Sequence, residues 1–233
     1  MYAADHVRRV LTTFPKVFTG IGEFTIHKEF VSSKIAGEAG SLTNPALDRL
    51  LDFAGEVGLI AIMHNDIVMP FTRRENERYY FEQMKQELRQ HPNTTIIWAH
   101  TGLGRVVQPP SQHIEYLEEI LSDPQLSHVY FDISWDEAGK YIVRDERTIE
   151  TRANLINRYP YRFLMGTDWV APETEEKYYS LYEMYQPLWR RLMREASANV
   201  RLCNYERLFE AARVRVRAWE RANVPKRPGE RQP

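Results

Sequence analysis

The chain has 233 residues, of which 43% are hydrophobic and 27% are charged, values typical of a soluble globular protein. Its 31 basic and 32 acidic residues leave a net charge of −1, which gives no field to concentrate nucleic acid or an anionic membrane surface. A lone cysteine, Cys203, excludes an internal disulfide. A chain of this length can bury most of its apolar surface in one domain. We therefore expect a single domain over residues 1–221, followed by a disordered tail over 222–233.

The sequence predicts neither membrane attachment nor export. No apolar stretch approaches the roughly 20 residues that a membrane-spanning helix needs. Residues 1–14 carry charged side chains where an export signal needs a continuous apolar core. We therefore expect a cytoplasmic protein, although a longer N terminus could carry an export signal.

Segments with helical periodicity alternate along the chain with short β-type runs. The predicted helices cover residues 3–13, 45–57, 75–90, 111–122, 134–157, 174–193 and 205–221. The predicted strands cover residues 17–23, 59–64, 93–100, 125–132 and 161–168. The last helix has an apolar face that predicts docking on the core, formed by Leu208, Phe209, Ala212, Val216 and Trp219.

Every predicted strand ends in an ionisable residue. Four of these residues lie eight positions after a proline, and they are Glu23, His100, Asp132 and Asp168. The fifth, His64, ends an apolar run without the proline. Successive strand ends are 32 to 41 residues apart, close to the roughly 31 residues per unit of an eight-fold β/α barrel. The runs are continuously apolar, as expected of parallel strands that helices cover on both faces.

The pattern predicts an α/β fold of the (β/α)8 TIM-barrel type with about five of its eight units present. No further strand is predicted before Val17, so three units are expected to be lacking at the N terminus. An open five-stranded parallel sheet would satisfy the same pattern. Because apolar edge strands invite aggregation, we expect either that the gene model starts late or that a homo-oligomer covers the edges.

Three of the strand ends carry side chains that can bind metal. In parallel β/α folds, strand ends meet at one rim, so His64, His100 and Asp168 can converge on a divalent ion such as zinc. Each residue also has a structural alternative. A strand-end aspartate, including Asp132, can cap the following helix, and a single histidine in an apolar run is more often a satisfied structural residue.

Four sequence segments resemble one family of enzymes. The segments "PNTTIIWAHTGLGR", "VYFDISW", "RFLMGTDW" and "NYERLF" are similar to those of the amidohydrolase-related (amidohydrolase 2 type) family of metal-dependent TIM-barrel hydrolases, which also contains decarboxylases. The resemblance runs from about Val17 to Phe209. It implies that His64 binds metal, that His100 polarises the substrate or the attacking water, and that Asp168 binds metal and takes the proton.

The chain departs from that family at the first strand, which normally supplies a His-x-His pair of metal ligands. No such pair occurs here, and His6 on a predicted helix is a poor substitute. Glu23 could supply a third ligand beside His64 and Asp168, because a catalytic zinc normally has three protein ligands. A salt bridge from Glu23 to Lys28 or an arginine is the alternative.

The resemblance implies a hydrolase that acts on a small, carboxylate-bearing substrate through a metal-activated water. Zn²⁺ is the expected metal, with Mn²⁺ or Fe²⁺ as alternatives. Four residues that follow the rim are expected to contact substrate: Arg105, Lys28, Trp135 and Trp169. The competing hypotheses are a metal-dependent decarboxylase and a non-catalytic remnant that needs a partner or a missing N-terminal segment.

Overall fold

A computed structural model of the chain contains one parallel β-sheet, and it describes residues 2–27, 41–69, 78–169 and 171–225. The strands are β1 (Gly20–Thr25), β2 (Ile60–His64), β3 (Ile96–Trp98), β4 (Val129–Asp132) and β5 (Phe163–Leu164). They lie side by side in chain order, and each neighbouring pair is parallel. The α/β class and the five predicted strands are therefore confirmed.

Helices connect the strands, as parallel pairing requires. The helices are α1 (Ala3–Thr13), α2 (Pro45–Val57), α3 (Tyr79–Gln90), α4 (His113–Leu121), α5 (Asp136–Ile142), α6 (Glu146–Arg158), α7 (Glu175–Met184), α8 (Gln186–Trp189), α9 (Arg194–Ala198) and α10 (Asn204–Asn223). Short 3-10 turns occupy Ala99–Gly102 and Pro124–Leu126, and a π turn occupies Asn199–Cys203. Within the described ranges, no helix is both long enough and apolar enough to cross a membrane.

The second helix shows how local sequence sets the element bounds. Asn44 accepts a hydrogen bond from the Ala46 amide, and Pro45 occupies the first helical position, where its missing N–H costs nothing. Gly58 ends the helix with φ at 88°, a conformation that glycine adopts without strain. The predicted bounds 45–57 are confirmed.

Three predicted strand bounds are wrong in ways that matter for the rim. β1 begins at Gly20 because the chain turns at Lys16, where φ is 70°, and it continues to Thr25, so Glu23 lies inside the strand. β3 ends at Trp98, which leaves His100 in the 3-10 turn. β5 has two residues, so Asp168 lies in the loop that follows it.

An irregularity in β1 places Glu23 at the rim. The pairing of β1 with β2 shifts between Ile21 and Phe24, as in a β-bulge. Gly22 lies in this shift with φ at 120°, and a Cβ there would overlap the Ile62 carbonyl oxygen. Only glycine fits this close approach, and the bulge redirects the side chain that follows it.

The two faces of the sheet pack against different helices because strand side chains alternate in direction. On one face, residues such as Ala61, Met63 and Trp98 pack in the main core with α2 to α8. On the other face, Ile60, Ile97 and Leu164 pack against Leu208 and Ala212 of α10. The sheet is therefore covered on both faces, although α10 alone covers this part of the second face.

The last helix crosses the sheet near the N-terminal ends of the strands. It contacts β5 and β2, and its later residues Val216 and Trp219 pack with Leu11 of α1 and Phe53 of α2. The predicted apolar face of this helix is confirmed. The packing partners of α10 therefore lie away from the strand carboxyl ends, where the rim residues are.

The outer edge of β5 is covered by helix residues. Asn204 donates hydrogen bonds to the carbonyl oxygens of Pro160 (2.9 Å) and Phe163 (2.8 Å). Arg207 donates to the Tyr161 carbonyl, and the Met165 amide donates to the Val200 carbonyl in the π turn. Sequence periodicity did not predict α9 or the π turn, which supply part of this cover.

We predict that Asn204→Ala lowers the free energy of unfolding by about 1 to 3 kcal/mol, because it leaves two carbonyls without their donor in a buried position. Urea unfolding monitored by circular dichroism measures the loss. Asn223→Ala is the matched control, since Asn223 is exposed and bonds only within α10. Equal unfolding midpoints for the two variants would contradict this role for Asn204.

Candidate metal centre

Four ionisable side chains meet at the carboxyl ends of the strands. Glu23 extends from β1, His64 ends β2, His100 lies in the turn after β3, and Asp168 follows β5. Glu23 lies between the two histidines, with Oε1 at 3.3 Å from His64 Nδ1 and Oε2 at 3.2 Å from His100 Nε2. Asp168 Oδ2 lies 3.4 Å from His100 Nε2. These distances bring the four side chains to one edge of the sheet.

The two ring nitrogens of His64 have different neighbours. Its Nε2–H donates to Asp66 Oδ1 at 3.1 Å, and both side chains are buried. Its Nδ1 is buried and has no hydrogen-bond partner among the described residues. The Asp66 bond therefore fixes the ring so that Nδ1 faces Glu23.

His100 is held in the same manner by a different pair. Ser134 Oγ–H donates to Asp132 Oδ1 in a short hydrogen bond, and the Ser134 amide donates to the same oxygen at 2.8 Å. With its proton so used, Ser134 Oγ accepts from His100 Nδ1–H at 2.9 Å. His100 Nε2 is then left buried and without a hydrogen-bond partner in the described parts of the chain, facing Glu23 and Asp168.

The negative charge around His100 outweighs its burial. Burial lowers the pKa of the imidazole, but the Asp132 and Glu23 carboxylates raise it to about 10. Burial by itself would raise the pKa of Asp132, yet the charge of His100 and the hydrogen bonds from Ser134 lower it. The rim is thus a place where positive charge is strongly favoured.

Backbone strain is concentrated at the same rim. His100, Thr101, Trp135 and Asp168 all have positive φ, with values of 55°, 53°, 74° and 43°. Each costs free energy for a residue with a side chain, and such residues cluster at functional sites. The strain supports the interpretation of this rim as a functional site.

Gly104 and Trp135 complete the wall of the centre. A Cβ on Gly104 would sit 3.3 Å from Asp66 Oδ1 and 3.9 Å from His64 Nε2, so the loop backbone passes close to this pair. The buried indole of Trp135 lies 5.1 Å from the His100 ring and 6.3 Å from the His64 ring, measured between centroids. These contacts exclude water from the outer side of both imidazoles.

The donor set fits a divalent metal. One ligand atom from each of Glu23, His64 and His100 lies within 4.8 Å of the others. Two imidazole nitrogens and a carboxylate oxygen are ligands that zinc, manganese and iron accept. The outer ring nitrogens donate to Asp66 and Ser134, which matches the second hydrogen bond that metal-binding histidines usually make. Asp168 lies beside this group, with its Oδ2 at 3.4 Å from His100 Nε2.

The residues expected to contact substrate occupy varied positions. Arg105 is 70% exposed and pairs with Glu137, with Nε at 3.0 Å from Oε1. Trp135 is buried against the histidines, and Trp169 is half-buried against the main core. Lys28 lies outside the described residues, and so does any contact between it and Glu23.

The alternative of helix capping is not what the structure shows for either strand-end aspartate. Asp132 bonds to Ser134 and faces His100, whereas α5 begins after Trp135 without a side-chain cap. The next helix after Asp168 is α7, which Thr174 caps. Neither carboxylate therefore caps the described helix that follows it.

Sequence reasoning missed the supporting residues Asp66 and Ser134. Both stand two positions after a strand-end residue, in "HND" and "DIS". This spacing is a signal in the sequence, because residues i and i+2 of an extended segment point to the same side and can therefore contact each other. Two-residue polar pairs are common at strand ends, so spacing alone could not single them out.

Comparison with solved structures finds the same fold in TIM-barrel proteins. A protein provisionally named a 2-pyrone-4,6-dicarboxylic acid hydrolase, from Pseudomonas putida, is 14% identical with a TM-score of 0.50, over 89% of this chain and 77% of its own. Dihydroorotase from Campylobacter jejuni is 11% identical with a TM-score of 0.55, over 87% of this chain and 61% of its own. An uncharacterised TIM-barrel protein from Bordetella bronchiseptica gives 16% and 0.51, over 90% and 72%.

These likenesses concern the fold. The five-stranded α/β structure matches part of each TIM-barrel chain, between 61% and 77% of its length, which confirms the predicted fold class. No protein-family model matches the chain, and no curated protein sequence does. Activity has to be argued from the rim itself.

A histidine behind the rim gives a test of the local architecture. His113 is buried in α4, and its Nε2–H donates to the Thr101 carbonyl at 2.9 Å, beside the strained turn. Burial and the nearby Arg152 charge lower its pKa well below 6.5, against the weaker opposing effect of the Thr101 bond. The folded protein therefore keeps His113 neutral at pH values where the unfolded chain binds a proton.

We predict that His113→Gln changes the pH dependence of stability. As the pH falls below about 6.5, His113 should cost the wild type about 1.4 kcal/mol of unfolding free energy per pH unit, because only the unfolded state gains the proton. Glutamine can still donate to Thr101 and does not titrate. Urea unfolding at pH 8 and pH 5 should show that the free energy of unfolding falls less between these pH values in the variant than in the wild type. An equal fall in both proteins would contradict a neutral buried His113.

Proposed function

We propose that the chain is a metal-dependent hydrolase that acts on a small, carboxylate-bearing substrate. One observation carries the proposal. Two buried imidazoles each have one nitrogen held by a polar partner and the other aimed at a single carboxylate, Glu23. An unprotonated ring nitrogen and a carboxylate oxygen repel each other at this distance unless a proton or a metal ion lies between them. Without metal, the raised pKa of His100 places a proton there, and a divalent ion would displace it.

In this proposal, Glu23, His64 and His100 hold the metal. Their ligand atoms are the ones that lie together, and the outer hydrogen bonds to Asp66 and Ser134 orient both rings for binding. The metal role that the resemblance implies for Asp168 is the alternative to His100 as third ligand, and the experiment below distinguishes the two. A bound divalent ion would supply Lewis acidity, polarising a carbonyl and making water nucleophilic at neutral pH.

The remaining steps fall to residues of the chain. Asp168 Oδ2 lies next to His100 Nε2, and its side chain is 41% exposed, so it faces both the centre and solvent. Such a carboxylate can accept a proton from the attacking water and return it to the leaving group. Trp135 covers the outer side of both imidazoles with an apolar ring, and such a low-dielectric wall strengthens the electrostatic contacts beside it.

The substrate class rests on one cationic side chain beside the rim, Arg105, and on the names of two similar structures. Both names, a 2-pyrone-4,6-dicarboxylic acid hydrolase and dihydroorotase, belong to other proteins and indicate candidate substrates only. Arg105 directly follows Gly104 in the chain and forms an ion pair with the partly exposed Glu137. A guanidinium in this position could exchange Glu137 for a substrate carboxylate.

We predict that the purified chain binds one equivalent of Zn²⁺ through the rim. After removal of metal with chelator, calorimetric titration with Zn²⁺ should show one equivalent whose binding His64→Ala and Glu23→Gln each weaken by at least about 100-fold, since each removes a ligand. His100→Ala should weaken it similarly, whereas Asp168→Asn should not. His6→Ala is the control, because His6 is an exposed histidine on α1.

Two results would count against this assignment. If Zn²⁺ binds His64→Ala and the His6→Ala control equally well, the rim is not a metal site, and the non-catalytic hypothesis is favoured. If Asp168→Asn loses the ion while His100→Ala keeps it, Asp168 is the third ligand in place of His100.

We predict that Asp168→Asn lowers kcat by roughly 100-fold to 10,000-fold while the metal stays bound, as expected on loss of a general acid–base group. The probes are dihydroorotate and 2-pyrone-4,6-dicarboxylate, with ring opening followed by ultraviolet absorbance of the Zn²⁺-loaded chain. Glu173→Gln is the control, an exposed carboxylate in the same loop. Equal kcat values for the two variants would remove Asp168 from the mechanism, and no turnover of either probe would remove this substrate class.

A further inference from the structure

A second group of metal-binding side chains lies at the other end of the sheet. It consists of Asp48 and Asp52, one turn apart on α2, with Glu87 near the end of α3 and His91 directly after it. His91 precedes β3, whereas His100 follows β3, so the two groups lie at opposite ends of the same strand. This group therefore has no part in the proposed hydrolase centre.

His91 resembles the rim histidines in facing carboxylates, but both of its ring nitrogens have a hydrogen-bond partner. Its Nδ1–H donates to Asp52 Oδ1 at 2.9 Å. Its Nε2 makes a long hydrogen bond to Asp48 Oδ1 at 3.4 Å and lies 3.4 Å from Glu87 Oε1. One ligand atom from each of Asp48, Glu87 and His91 lies within 4.8 Å of the others.

Glu87 is the observation that points to a ligand. Its side chain is 3% exposed, and Oε1 has no hydrogen-bond partner among the described residues. A buried carboxylate oxygen that lacks a hydrogen bond is unfavourable unless a cation, either protonated His91 or a metal ion, offsets its charge. Oε1 is aimed at the space that Asp48 and His91 also face, so a cation there would satisfy all three groups.

We propose that Asp48, Glu87 and His91 form a second site for a divalent transition metal of the Zn²⁺ class, with Asp52 as a positioning residue. An imidazole nitrogen with two carboxylate oxygens leaves a fourth position for water, as in three-ligand zinc sites. The three carboxylates of the group carry an excess of negative charge that a divalent ion would offset. Asp52 holds His91 in the carboxylate–histidine–metal arrangement that sets ring orientation in known sites.

The outer part of the group meets solvent. Asp52 and His91 line an open cleft of about 680 Å³ together with Asn93 and His128. Asp48 is also partly exposed. The competing occupant is a proton on His91 Nε2, which would leave a purely structural ion-pair cluster.

The test uses the full chain with His64→Ala in place, so that only the second site is measured. After chelator treatment, titration with Zn²⁺ alone should show one equivalent bound. Adding Glu87→Gln should weaken this binding by at least about 100-fold, and adding Asp52→Asn by roughly 10-fold to 100-fold, the range for loss of an outer hydrogen-bond partner. Glu82→Gln, an exposed glutamate on the same helix, is the control.

Asp48→Asn protects the test against misfolding. Asp48 is partly exposed, so its variant should keep the circular dichroism spectrum of the parent even if Glu87→Gln does not. It should also weaken Zn²⁺ binding by at least about 100-fold. The proposal is overturned if the His64→Ala chain binds no Zn²⁺, or if Asp48→Asn and Glu82→Gln bind it equally. Because the rim is disabled throughout, failure here leaves the proposed hydrolase function untouched.

Discussion

An imidazole has two nitrogens, and burying the ring is costly for any nitrogen that lacks a partner. In this chain three buried histidines satisfy one nitrogen with a fixed acceptor and turn the other toward carboxylates: His64, His91 and His100. A neutral ring so placed has a lone pair against negative oxygens, and the clash is relieved only by a proton or a metal ion. This requirement defines both groups of ionisable residues in the fold.

The parallel sheet explains why the rim group exists. Parallel strands send their carboxyl ends to one edge, so residues far apart in sequence arrive together. Local irregularities then aim the side chains: a bulge turns Glu23 inward, and a 3-10 turn with positive φ holds His100. Regular strands would have pointed these groups elsewhere. The strained turn rests on a carbonyl held by His113, which links the rim to the helix layer behind it.

Much of this could be predicted from the sequence, because apolar runs and caps are local signals. The five strands, the bounds of α2 and the apolar face of α10 all follow from spacing and turn residues. The supporting pairs could not, since the bond from His64 to Asp66 depends on ring orientation. The second group was missed for another reason: Asp48 and Asp52, like Glu87 and His91, show the four-residue spacing of any polar helix surface. The two pairs come together only through the packing of α2 against the end of α3, which spacing along the chain does not show.

The two edges of the sheet differ in what they offer to another molecule. At β5, residues of α10 and the preceding turn already bond the carbonyls of Pro160, Tyr161 and Phe163 and the amide of Met165. An incoming strand would find those groups taken. Filaments built strand against strand need two receptive edges on every molecule. Because the β5 edge is occupied, copies that associated through β1 could form a two-fold symmetric dimer but could not extend it into a filament.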